Sequence, residues 1–310
     1  MRILVTGGTG MVGSAFEKVT LGHELILVGS KHYDLSDKRD SHRMFREINP
    51  DAVIHLAARV GGVKGNTDFV ADFYSENIRM NTNVLDAAHK YSVPKVLSLL
   101  STCVYPEHAD YPLTEDQIHS GPPHETDFGY AYAKRMLEVQ SRAMRQQYGH
   151  NFICAIPNNI YGENDYFNLE KCHVIPAIIR KVWEAKMYGK TPSFWGDGSP
   201  MREFTYSGDI AKILLYLVEH YDEPEPLNIG FSNEIEVRSV VEMIADILDY
   251  RGEIIWDPSK PSGQFRKPSS SARFHKMSDN YFEYTGLREG LENTCQWFLG
   301  NYPNIRGMEK

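Results

Sequence analysis

A tyrosine and a lysine stand four residues apart in Tyr130-Ala131-Tyr132-Ala133-Lys134. On a helix these two positions share a face. A free phenol loses its proton near pH ~10, too high for proton transfer at neutral pH, and a neighbouring ammonium favours the phenolate. Tyr132 also precedes Lys134, but at a spacing that turns it elsewhere, and it reads as a packing or rim residue. Ser101 follows the apolar run Val96–Leu100, where its hydroxyl can orient the same carbonyl oxygen as the phenol. Together these are the parts of a carbonyl reductase. Cys103 follows Ser101 by two positions and would share its side if an extended backbone continued. His173 lies in Cys172-His173-Val174-Ile175-Pro176. Taken singly, a buried cysteine or a hydrogen-bonded histidine is equally at home as a structural residue.

A reductase needs a hydride source. Gly7-Gly8-Thr9-Gly10-Met11-Val12-Gly13 follows an apolar run and opens a helical stretch. A side chain at these glycines would hold a diphosphate away from the helix N-terminus, whose free N–H groups favour anions. An NAD site usually ends its second strand in an acid that holds the ribose 2′-hydroxyl. Here that strand ends Leu27-Val28-Gly29-Ser30-Lys31. With no acid there, and with Ser30 and Lys31 able to meet a 2′-phosphate, NADP(H) is the expected cofactor. Lys31 can equally be a solvated loop charge. Asp34 and Leu35, a little further on, are expected beside the adenine.

The elements that must carry these groups alternate. Continuous apolar runs at 2–6, 24–29, 52–56, 96–100 and 152–156 read as strands covered on both faces. Between them, helical stretches occupy about 10–21, 38–48, 68–91 and 130–148. This order predicts an α/β, Rossmann-type, doubly wound parallel sheet. Regular alternation fades after about residue 160, so residues 1–162 are expected to form the cofactor-binding domain and 163–310 mainly a smaller α/β substrate domain. Thr205–Tyr221 reads as a helix returning to the main sheet, so that about 203–232 rejoins the first domain, and 257–275 reads as a basic loop.

The chain has 310 residues, and 41 acidic against 33 basic side chains give a net charge of −8, which disfavours nucleic acid as a partner. No apolar run reaches the ~20 residues of a membrane span. The four cysteines are far apart and form neither a zinc pattern nor a disulfide framework. The first residues run straight into a strand with no room for a signal peptide, so a reducing cytoplasm is expected.

Through Gly7–Gly13, Ser101, Tyr130 and Lys134 the sequence resembles the extended short-chain dehydrogenase/reductases. The stretches Ser101–Pro106, Tyr130–Met136, His173–Pro176 and Trp195–Phe204, with Gly61-Gly62-Val63, Gly121–His124 and Gly263–Phe265, narrow the resemblance to the GDP-L-fucose synthase family, along essentially the whole chain. That family carries out 3,5-epimerisation and 4-reduction of GDP-4-keto-6-deoxy-D-mannose, and the resemblance implies the same substrate here. A 4-keto group acidifies the C–H bonds at C3 and C5, and inversion needs a base on one face and an acid on the other. The resemblance assigns those roles to Cys103 and His173, in either order. Ser101 and Tyr130 would hold the enolate oxygen. It further implies that Leu56-Ala57-Ala58, Leu99-Leu100-Ser101, Pro157-Asn158-Asn159-Ile160, Tyr130, Lys134 and His173 border the cofactor. Lys181, Trp195 and Arg202 are implied as substrate contacts.

Some positions depart from the family pattern. Pro157-Asn158-Asn159 stands for Pro-Thr-Asn, Gly162-Glu163-Asn164-Asp165 for Gly-Pro-His-Asp, and Lys181 for the arginine of some members. Ser262-Gly263 stands for Asp-Gly, which puts a carboxylate contact to the substrate in doubt and leaves Ser262 as the candidate. A related 4,6-dehydratase would carry Asp-Glu after Thr102, where this chain has Cys103-Val104, and a non-catalytic cofactor sensor would usually lose Tyr130 or Lys134. The family also implies a homodimer through the helices near 68–91 and 130–148. Val84, Leu85, Ala88, Met136, Leu137, Val139 and Met144 are available either for that contact or for the core.

Overall fold

The computed structural model describes residues 1–260, 264–279 and 282–308. In chain order the first half comprises β1 (Arg2–Thr6), α1 (Met11–Ala15), β2 (Glu24–Val28), α2 (Lys38–Ile48), β3 (Ala52–His55), α3 (Val63–Asp68), α4 (Val70–Lys90), β4 (Lys95–Leu99), α5 (Phe128–Tyr148) and β5 (Asn151–Pro157). Then follow β6 (Asn159–Tyr161), α6 (Val174–Tyr188), β7 (Ser193–Trp195), β8 (Met201–Tyr206), α7 (Ser207–His220) and β9 (Leu227–Ile229). Last come β10 (Glu234–Glu236), α8 (Val237–Ile247), β11 (Ile255–Asp257), α9 (Ala272–Met277) and α10 (Leu287–Asn301).

The main sheet has six strands in the order β2-β1-β3-β4-β5-β9. All its pairings are parallel. Its strands are apolar throughout because both faces are covered. Leu4, Val53 and Val96 face α2, α4 and α5, while Ile3, Val5, Ile54 and Leu97 face α7. The chain leaves β1 for β2 on one side and reaches β3 on the other. Sequential strands thus diverge beside β1, and the crevice beyond the carboxyl ends of β1 and β3 is where such sheets bind ligands. Local chemistry sets the helix limits. Asp37 caps α2 by accepting from the N–H groups of Arg39 and Asp40, and Asn49 ends it in the left-handed region at φ 47°.

The sequence reading needs adjustment at three places. The 68–91 stretch is one helix, α4, starting at Val70, and a further short helix, α3 (Val63–Asp68), precedes it and ends before Phe69. Thr205 and Tyr206 close strand β8, and only then does α7 begin. The 257–275 segment starts in β11 and ends in α9 rather than being loop throughout. Helix α7 does return to the main sheet. Ile210, Ile213 and Leu214 are fully buried there, and β9 pairs with β5.

The remaining elements build a separate layer. Strands β10-β8-β6 form a three-stranded sheet and β11-β7 a two-stranded one. Side chains of α6, α8 and α10, among them Ile178, Val241 and Phe298, close a third core with Phe204. Among the residues weighed for a dimer face, Val84, Leu85, Ala88 and Leu137 are at 0% exposure. They belong to the core because they lie on the faces of α4 and α5 that meet the sheet. The apolar surface left on that side comes from Phe69, Val70, Tyr74, Phe128 and Met136.

Candidate active site

The glycine turn lies at the sheet's divergence point. Gly7 is left-handed (φ 71°), and a Cβ there would fall 2.8 Å from the Ala57 nitrogen at the end of β3. At Gly13 a Cβ would fall 2.4 Å from the carbonyl oxygen of Gly7. Gly10 N–H donates to Gly7 O at 2.9 Å, and Ser14 N–H to Gly10 O at 2.8 Å. Glycines therefore let the turn fold back against β1 and β3, with Met11 and Val12 opening α1 above it. The first N–H groups of a helix have no partners within it. A diphosphate fits this cradle of bare backbone. At the end of β2, Ser30 and Lys31 are both exposed, and Lys31 makes no hydrogen bond or ion pair among the described residues. Those two positions suit a 2′-phosphate.

Several expected cofactor neighbours are placed differently. Leu35 turns its side chain into the core and gives its carbonyl to Asn83 Nδ2 at 2.9 Å. Asp34 spends its carboxylate on Ser36. Asn158 is buried, with Nδ2 donating to Phe231 O at 3.0 Å and Oδ1 accepting from Thr205 Oγ1 at 2.6 Å. Asn159 Nδ2 donates to Glu203 O at 2.8 Å. These amides tie the start of β6 to β8 and to the loop beyond β9. Leu56, Ala57 and Ala58 are half-buried along the edge of the crevice.

Beyond β4 the chain does not continue as a strand. Ser101 caps a short 3-10 turn over Thr102–Val104, and its Oγ accepts from Cys103 N–H at 3.4 Å. This turn, rather than strand alternation, puts Ser101 and Cys103 side by side. Leu99 and Leu100 are buried, and Leu100 N–H pairs with Ala155 O. Lys134 on α5 is buried and donates from Nζ to Leu99 O at 2.6 Å, while its ammonium lies 5.9 Å from the Tyr130 ring centroid. Burial lowers its pKa to about 8.

The expected drift of Tyr130 toward phenolate is absent. Burial, with the thiol of Cys103 and the carboxylate of Asp127 nearby, holds the phenol well above its usual range. It is a neutral O–H donor at neutral pH, the form that can give a proton to a carbonyl oxygen. Burial likewise pushes the Cys103 thiol up to about 11, opposed by the Ser101 bond and by Lys267 and Lys134. Ser101, Cys103, Tyr130 and Lys134 thus form one cluster.

His173 stands outside that cluster as the N-cap residue of α6, with an exposed ring. Asp165 lies near it, with a buried Oδ2 that has no hydrogen-bond partner among the described residues. Lys181 Nζ donates to Ser193 O at 2.8 Å and lies 5.2 Å from the Phe194 ring centroid. Trp195 is exposed at the end of β7. Arg202 on β8 donates to Met201 O at 2.7 Å, and burial lowers its pKa. Ser262 lies outside the described residues. A cavity of about 850 Å³ sits elsewhere, between Glu115, Arg142 and Arg273, and shares no residue with this cluster.

Four residues escaped the sequence reading. Asp127 precedes α5 and accepts from Asn66 Nδ2 at 2.7 Å. Arg135, buried beside Lys134, ties the Cys103 turn down by donating to Val104 O at 2.6 Å and Gly121 O at 2.7 Å. Lys267 reaches Cys103 and Asp127 electrostatically, from a segment pinned by Met201 N–H to Phe265 O and Leu113 N–H to Pro268 O. The buried carboxylate of Glu203 holds Ser269 in that segment through both its N–H and its hydroxyl. The basic character of 257–275 was visible in the sequence, but no spacing singled out Lys267. The other three depend on tertiary neighbours.

Comparison with known proteins agrees with this geometry. Residues 3–230 match the sequence model of the NAD dependent epimerase/dehydratase family. A GDP-L-fucose synthase of Dictyostelium discoideum is 38% identical, with 98% of this chain and 97% of the relative aligned. One of Sinorhizobium fredii is also 38% identical, over 97% and 96%. The crystal structure of a GDP-L-fucose synthetase from Naegleria fowleri bound to NADP superposes with a TM-score of 0.92 at 37% identity, covering 98% of this chain and 95% of that one. The chain therefore belongs to the NAD dependent epimerase/dehydratase family, on the branch that holds the GDP-L-fucose synthases.

Proposed function

We propose that this chain catalyses the NADPH-dependent 3,5-epimerisation and 4-reduction of GDP-4-keto-6-deoxy-D-mannose to GDP-L-fucose. The observation that carries this reading is the single cluster in which a thiol, Cys103, adjoins the hydroxyl donors Ser101 and Tyr130 and the buried Lys134. Gly7, Gly8, Thr9, Gly10, Met11, Val12 and Gly13 would hold the diphosphate of NADP(H), and Ser30 and Lys31 its 2′-phosphate. When bound, the nicotinamide supplies the hydride for C4. Ser101 and Tyr130 polarise the ketone oxygen and stabilise the enolate formed when a proton leaves C3 or C5. Cys103 and His173 remove that proton and return one to the opposite face, which inverts the centre with no net redox change. At the reduction step Tyr130 gives its proton to O4 as C4 gains hydride, so the ketone becomes an alcohol and NADPH becomes NADP⁺. Lys134 then favours the phenolate left behind.

Lys181, Trp195 and Arg202 are the candidates for the GDP side in this reading, together with Ser262, which lies outside the described residues. Residues 1–162 with 203–232 form the cofactor domain in this reading, and the rest of 163–310 the substrate domain. Phe69, Val70, Tyr74, Phe128 and Met136 suit the face of a homodimer. The four free cysteines suit a reducing cytoplasm, and no helix among the described residues is long and apolar enough to cross a membrane. The test is incubation with GDP-4-keto-6-deoxy-D-mannose and NADPH, following loss of nicotinamide absorbance and identifying the product. The wild-type chain is expected to yield GDP-L-fucose. Tyr130→Phe is expected to bind NADPH and reduce nothing. Normal turnover in that variant would end the assignment of Tyr130, and absence of a 6-deoxy-L-hexose product from the wild type would end the reading as a whole.

A further inference from the structure

The end of the chain comes back to the glycine turn. Arg306 Nη1 donates to Asn164 O at 3.1 Å, and Arg306 O accepts from Phe167 N–H at 2.9 Å. Gly307 follows in the left-handed region (φ 84°), where a Cβ would fall 2.5 Å from Asn168 N. The tail is therefore seated closely on the 164–168 segment. Asn164 is itself left-handed (φ 58°), and its Nδ2 donates to Thr9 O at 3.1 Å. Its neighbour Glu163 pairs with Lys18 at 3.0 Å and accepts from Tyr206 Oη at 2.7 Å. Asn164 is thus a brace between the tail and the turn, at one of the positions where this chain departs from its family's pattern.

The brace brings Arg306 over the turn. A Cβ at Gly10 would fall 3.9 Å from Arg306 Nη1. Arg306 is exposed, so its charge is hydrated at little cost. It forms no ion pair among the described residues, and a buried acid, Asp165, feels its charge. Of the five N–H donors of a guanidinium, one is committed to Asn164 O. The guanidinium therefore adjoins the glycine turn with donors to spare, and a planar guanidinium pairs with phosphate through two donors at once.

We propose that Arg306 is a cofactor-binding residue that clamps the diphosphate of the bound dinucleotide against the glycine turn, with Asn164 as its brace. This rests on the reading that the turn takes NADP(H). The clamp acts on the diphosphate, which NADP⁺ and NAD⁺ share, and not on the 2′-phosphate.

The test is titration calorimetry of NADP⁺ and NAD⁺ against the full chain, for the wild type, Arg306→Met and Arg306→Lys. Arg306→Met is expected to weaken both nucleotides by a similar factor, about tenfold, as for one lost charged hydrogen-bonding group. Arg306→Lys keeps the charge without the fork and is expected to lose less than Arg306→Met. It also supplies the comparison with the wild type should Arg306→Met fold poorly. Unchanged affinity in both variants overturns the proposal. So does a loss confined to NADP⁺, which would move Arg306 to the 2′-phosphate. A wild type that binds neither nucleotide would overturn the cofactor reading itself, whereas wild-type binding with unaffected variants removes Arg306 alone.

Discussion

Replacing Lys134 by Met separates what this residue does for the reaction from what it costs the fold. The ammonium is 2% exposed and donates to Leu99 O at 2.6 Å. Burial lowers its pKa from 10.5 to about 8. The folded chain therefore holds this proton less tightly than the unfolded one. Between those two pH values the unfolded state carries the extra proton, so stability rises with pH. Below pH ~8 the full penalty is present, and at ~1.4 kcal/mol per pH unit it amounts to about 3 kcal/mol. Methionine removes that penalty but leaves the Leu99 carbonyl without its donor, a cost of about 1–2 kcal/mol.

Lys134→Met is thus expected to be more stable than the wild type at pH 7 by about 1–2 kcal/mol, although hydride transfer falls at least ~100-fold. The advantage should shrink by about 2 kcal/mol between pH 7 and pH 9.5, as the wild-type amine sheds its proton. Urea unfolding of the nucleotide-free protein at the two pH values measures this directly. A variant less stable than the wild type at both, by the same margin, would refute the idea that burial of charge dominates here.

Further predictions rest on single contacts. Cys103→Ser should slow solvent deuterium uptake at C3 and C5 of the 4-keto sugar by about 100-fold or more while NADPH affinity holds, as read by mass spectrometry of the recovered sugar and by titration. Unchanged exchange would remove Cys103 from the mechanism. Gly13→Ala places a methyl group 2.4 Å from Gly7 O and Gly8 Cα. It should cost about 1–3 kcal/mol of stability, and a wild-type melting temperature would show that the turn relaxes freely.

Much of the site is legible as spacing. Tyr130 and Lys134 fall on one helix face whatever surrounds α5, because a helix brings positions four apart together. The glycines at 7, 10 and 13 mark a chain reversal that side chains would obstruct, and continuous apolar strands announce a sheet covered on both faces. Those signals are local, so one sequence carries them. They do not say where a side chain spends its hydrogen bonds. Asn158 and Asn159 were natural candidates to line the cofactor cleft, but Thr205, Phe231 and Glu203 claim their amides from β8 and the loop beyond β9. Ser101 and Cys103 meet through a 3-10 turn that strand periodicity could not foretell.

Fold class, the phosphate turn and the tyrosine–lysine pair were therefore settled by the order of residues alone, since each depends on backbone geometry repeating over a few positions. Only the folded chain decided the protonation of Tyr130 and Cys103, the arrival of Lys267 beside them, and the return of Arg306 to Gly10. Burial and charge act through space, so they join groups far apart along the chain, as Lys267 to Cys103 and Arg306 to Gly10.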